Sequence, residues 1–92
     1  METHSIIKPP ESRFIKSGRV KLFPNEEIGK HVTDKREEIL VVLKGTAALY
    51  KDDKKIVLKT GDTYFIEENV THNVKNESDI ELEYIYVVTL FD

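Results

Sequence analysis

Three side chains in this sequence carry chemistry that depends on where the fold puts them. His31 and Glu38 lie in one stretch, HVTDKREEILVVLKG from 31 to 45, and His72 lies in a second, GDTYFIEENVTHNVKN from 61 to 76. Imidazole and carboxylate are the groups that ligate divalent ions and move protons near neutral pH. A third histidine, His4, sits in a polar N-terminal segment and is expected to be solvated and without a role.

Both stretches read as short apolar strands ending in turns, and the surrounding chain has the same punctuation. RFIK, Ser17-Gly18, RVKLF and Pro24-Asn25 alternate as strand, turn, strand and turn. TAALYK and KKIVLK flank a turn at Asp52-Asp53, and the charged KDDKK run is the solvated tip of that hairpin. TYFI, VTHNVK and the long run from Ile80 to Phe91 complete the set. Short strands at such spacing predict an all-β sandwich or barrel. Asp34 followed by Glu37 imitates a helix capping box, but the run Ile39 to Leu43 is rich in β-branched residues and has no charged face, which favours a strand. The opening residues 1–11, closed by Pro9-Pro10, are expected to form an N-terminal arm or an edge strand.

Strand parity decides which side chains meet. Glu38, Leu40 and Val42 share one face of their strand, and Ile39, Val41 and Leu43 share the other. His31 shares its face with Thr33, and His72 shares its face with Val74 and Asn76, as suits an interior pocket. Apolar residues on both faces of a strand require cover on both, and for a chain this short the economical outer cover is a second copy. A homodimer is therefore expected. Tyr50, Tyr64, Tyr84, Tyr86, Phe65 and Phe91 are assigned to the core or that interface rather than to substrate contacts.

Composition bounds the function. Ninety-two residues make one domain, 1–92. Fourteen basic and seventeen acidic residues give a formal charge of −3 with no concentrated basic face, so no nucleic-acid partner is expected. There is no cysteine, which removes disulfides and thiolate chemistry. No apolar run approaches the roughly 20 residues of a membrane span, so a soluble cytoplasmic protein is expected, with no membrane partner. No helix-turn-helix pattern is present.

The two stretches resemble the paired motifs of the cupin superfamily, small jelly-roll β-barrels also called double-stranded β-helices. In the first motif His31, Glu38 and Gly45 fall at the family's positions, and Thr33 stands where a second His is usual. In the second, Gly61, His72 and Asn76 keep the spacing, with Glu67 in place of a Pro and Asn69 in place of a Gly. Asn tolerates the left-handed backbone that such a turn needs. The resemblance covers about residues 19 to 89.

What the resemblance implies is a metal site on His31, Glu38 and His72, with Thr33 a poor fourth donor. Two His and one carboxylate with open positions suit a divalent metal ion such as Fe, Zn, Mn, Ni or Co. Against this stand interior histidines satisfied by backbone or by Glu38, and a Glu38 paired with a Lys or Arg. Glu37 competes with Glu38, but parity and the spacing to Gly45 select Glu38. Two functions remain open: a metal-dependent enzyme acting on a small carbohydrate-like or oxygenated metabolite, and a metal-free barrel that binds a small-molecule ligand without catalysis. Fold alone does not choose between them.

Overall fold

The computed structural model describes residues 1–91. Nine strands follow in chain order: β1 (Glu2–Ile7), β2 (Ile15–Leu22), β3 (His31–Val32), β4 (Arg36–Lys44), β5 (Thr46–Lys51), β6 (Lys54–Lys59), β7 (Thr63–Ile66), β8 (Thr71–Lys75) and β9 (Leu82–Leu90). They form one five-stranded sheet, ordered β1-β2-β9-β4-β7, and one four-stranded sheet, ordered β3-β8-β5-β6. Every pairing between them is antiparallel. This is the jelly-roll barrel of the all-β class. No helix of the described residues is long and apolar enough to cross a membrane.

Alternation along each strand builds the core. Leu22, Leu40, Leu49, Ile66 and Leu82 are fully enclosed between the sheets, as are Val20 and Val42. Each enclosed large aliphatic side chain contributes about 1.5–3 kcal/mol relative to exposure. On β4 the alternation is plain: Glu38, Leu40 and Val42 point in, and Ile39 points to solvent. The helix imitated by Asp34 and Glu37 does not form, because Lys35 takes a φ of 55° and turns the chain into β4.

Turns hold where their residues predict. Asn69 has a φ of 64°, and its N–H donates to the Thr33 carbonyl at 2.8 Å, so an asparagine does the work of the usual glycine. Asn76, buried at the end of β8, is a clasp: its side-chain amide donates to the carbonyls of Leu22 and Ile80, and its oxygen accepts from the Ser78 N–H and hydroxyl. The N-terminal residues form the edge strand β1, paired to β2, and the terminal ammonium meets Glu26 at 2.8 Å.

One expected turn is absent. Ser17-Gly18 lies inside the continuous strand β2. The cause is a distant contact: the Tyr86 ring lies across Gly18 so closely that a Cβ there would sit 2.6 Å from the phenol oxygen. Ser17 fixes the same neighbour by donating its hydroxyl to the Tyr86 carbonyl at 2.7 Å. Glycine at 18 makes room for a side chain and does not bend the chain.

Candidate metal centre

The two sheets meet at the proposed ligands. In the four-stranded sheet, His31 on β3 stands directly opposite His72 on β8. The two imidazole centroids are 4.1 Å apart with planes at 63°. Glu38 comes from β4 in the other sheet, paired with Ile66 and Val88. One ligand atom from each of the three residues falls within 4.8 Å of the others, which a single divalent ion could bridge.

Hydrogen bonds set the orientation of both rings. His31 Nδ1 lies 2.8 Å from the Gly29 carbonyl, and His72 Nδ1 lies 3.1 Å from the Val70 carbonyl. A carbonyl only accepts, so each Nδ1 carries the proton and each neutral ring offers Nε2 as its bare donor. Metal-ligating histidines are commonly oriented by this kind of backbone bond. His72 Nε2 then faces Glu38 Oε1 at 3.1 Å. A bare nitrogen against a carboxylate oxygen is a pair of acceptors, and it needs a proton or a cation between them.

In the metal-free protein the proton answers. Burial of the His72 ring opposes charge, but the Glu38 hydrogen bond, the Val70 carbonyl and the Glu38 charge outweigh it and raise its pKa above the ordinary histidine value. A raised folded-state pKa gives stability that is fully present below the unfolded value, about 6.5, and is lost as pH rises through the folded one. Metal-free protein is thus expected to lose stability as pH rises above about 6.5 in urea melts. Metal affinity should run the other way, rising with pH by about tenfold per unit for each proton the ion must displace. Divalent-ion titrations at pH 5 and 7.5 check this, and equal affinities at the two would contradict histidine ligation.

Thr33 does not take part as a donor to the centre. Its hydroxyl donates to the Glu67 carbonyl at 2.7 Å and receives the Val70 N–H at 3.2 Å, tying the turn before β8 to the chain after β3. His72 and Glu38 are buried as parity predicts, but His31 is exposed at the mouth, because β3 is only two residues long and has no strand on its outer side. Glu37 points away from the interior, with its carbonyl near the Thr89 hydroxyl.

A cavity of about 330 Å³ opens over the three residues. Val20, Ile28, Val74 and Val88 form its apolar wall, and Tyr84 and Tyr86 also line it. The expected core placement of those two tyrosines holds: Tyr84 is buried in the core and Tyr86 packs against it, and both also face the cavity. Burial, then the Glu38 charge and Tyr86, push the Tyr84 phenol well above the usual tyrosine value, so it stays a neutral donor. Lys16 and Arg36 also reach the cavity. Sequence reasoning missed both. Lys16 shares the parity of inward Val20, a signal hidden once the strand is cut at Ser17-Gly18.

A family model described as Cupin domain matches residues 11–88. The chain belongs to this family. A relative from Thermotoga maritima named oxalate-binding protein is 29% identical to this cupin over 72 residues, 78% of the chain, which spans 60% of that relative's length. Among solved structures, a Thermotoga maritima protein described as a predicted oxalate decarboxylase superposes with a TM-score of 0.88 at 23% identity, over 97% of this chain and 79% of the other. The cupin domain of Schizosaccharomyces pombe Cnp3 gives 0.87 at 12% identity, over 97% of this chain and 64% of the other. At those identities the superpositions speak for the fold alone.

Proposed function

We propose that this cupin holds a divalent metal ion on His31, Glu38 and His72 and uses it to bind and activate a small oxygenated metabolite. The observation that carries the reading is the convergence of the three residues: both rings have Nδ1 tied to a carbonyl, His72 turns Nε2 onto Glu38, and one ligand atom of each residue lies within 4.8 Å of the others. A bound ion would supply Lewis-acid polarisation of a ligand oxygen or of water. The chain's own contribution is the apolar wall, which limits water, and the neutral Tyr84 phenol, a donor for an oxygen in the cavity. The name of the oxalate-binding relative supports a small oxygen-rich ligand.

The second reading is a metal-free binding barrel, favoured by the His72–Glu38 contact, which a proton satisfies without any ion. Elemental analysis of protein purified without added metal, followed by chelation, separates the two. The metal reading predicts bound ion and a lower melting temperature after chelation, with about 2.7 kcal/mol of stabilisation lost where free ion had stood at 100 times its dissociation constant. An unchanged melting temperature and no bound metal favour the second.

The working unit we infer is a homodimer. On the outer face of the five-stranded sheet, Phe65 stands beside Ile39, Ile39 beside Val87, and Val41 beside Ile85. Ile39 and Phe65 are about half exposed, at 45% and 50%. A continuous apolar row on one sheet face can cover itself in a two-fold pair. Light scattering at micromolar concentration is expected to give twice the chain mass, and a monomer mass would remove this part of the reading.

A further inference from the structure

We infer that Lys16 and Arg36 receive the far anionic end of a ligand whose near end sits at the metal, so that this cupin prefers short two-ended acids, 2-hydroxy dicarboxylates, over mono-acids. The inference rests on the metal reading above. Three observations lead to it.

The first is register. Lys16 on β2 pairs with Val88 on β9, and Val88 pairs with Glu38 on β4, so one row across three strands carries Lys16 and Glu38 on the same inner face. At the usual strand spacing their backbones are about 10 Å apart. Arg36 precedes Glu38 by two positions on β4 and therefore faces the same way, about 7 Å along the strand. Both side chains reach the cavity that holds His31, Glu38 and His72.

The second is pairing. Arg19, Lys44, Lys51, Lys55 and Lys75 each meet a carboxylate. Lys16 and Arg36 pair with none among the described residues. Other basic residues, such as Lys21 and Lys59, also lack a carboxylate among the described residues; what sets Lys16 and Arg36 apart is that both line the one cavity, where their positive charges add and attract an anion.

The third is size and lining. The cavity is at the small end of the range for ligand sites, and the apolar Val88 stands between Lys16 and Glu38 in the row across the sheet. A ligand with a short carbon chain, a chelating hydroxyl and carboxylate at one end and a second carboxylate at the other matches that order. The guanidinium can take the second carboxylate in a two-pronged hydrogen bond.

The test uses Mn²⁺-loaded protein, calorimetry, and lactate and malate as probes, which differ in the second carboxylate. Malate is expected to bind about tenfold more tightly or better, the scale of one charge-assisted hydrogen bond. In the double variant Lys16→Gln/Arg36→Gln the ratio should fall to about one while Mn²⁺ affinity stays unchanged. Equal binding of the two acids by the parent, or a ratio that survives in the variant, overturns the inference. Mn²⁺ titrations run separately report on the metal reading itself. If no Mn²⁺ is taken up, malate is titrated into metal-free protein. There, binding that the double variant loses supports the two cations, and no binding or identical binding overturns them.

Discussion

His72→Ala is expected to lower divalent-ion affinity by about 100-fold or more, while the far-UV spectrum keeps its β signature. Loss of a group that merely orients a ligand already costs 10–100-fold, and here the ligand itself goes, leaving two donors where three had stood. His72 is the buried member of the histidine pair and bonds both Val70 and Glu38, so no neighbour can swing in to replace it. The substitution also strands Glu38, which is 8% exposed, and should cost about 1–3 kcal/mol of metal-free stability. His4→Ala is the control, since His4 lies exposed on the edge strand β1 and should change neither quantity. Retained affinity in His72→Ala would put the ion somewhere else.

Gly45→Ala is expected to be among the most destabilising single changes in the barrel. Gly45 has a φ of 84°, where an L side chain is strained by about 1–2 kcal/mol. A Cβ would also sit 2.3 Å from the Glu81 carbonyl oxygen and 3.1 Å from the Leu82 Cα, and backbone atoms cannot rotate out of the way as a side chain can. Overpacking of this kind adds about 1–3 kcal/mol, for a total of about 2–5 kcal/mol against the 5–15 kcal/mol of a typical domain. Gly61 provides the comparison: its φ is 89°, yet nothing lies within 4 Å of the added carbon. Gly61→Ala should therefore show the strain alone, about 1–2 kcal/mol. Urea melts of the two variants check this, and equal losses would mean that the Glu81 contact is relieved by a small shift of the chain.

The contrast between those glycines shows what a single sequence can and cannot disclose. Both occupy motif positions and both take the left-handed backbone, which local chemistry predicts. That only Gly45 presses against another strand is a property of the folded pairing between β4 and β9. Glu38 was legible because strand parity is local: its neighbours Leu40 and Val42 declare the inner face. His72 was legible for the same reason, through Val74. Gly18 was not, because a Ser-Gly pair has the chemistry of a turn and its real partner, Tyr86, is remote in the chain. That one misreading also concealed Lys16, since cutting β2 at 17–18 breaks the alternation that turns Lys16 inward. Thr33 could be recognised as a weak donor from its type, but its bonds to Glu67 and Val70 depend on a turn that only the assembled sheets create. His31 was placed on the correct face, while its exposure followed from the brevity of β3.

That brevity governs how fast an ion would come and go. His31 is carried by a two-residue strand held by β8 alone, whereas Glu38 and His72 sit in the packed middle of their sheets. Segments with so few fixed contacts open locally at a small fraction of the free energy of global unfolding. Fraying at 31–32 would therefore withdraw the His31 donor while Glu38 and His72 stay in place in the closed barrel. An ion held there would in this way exchange without the barrel unfolding.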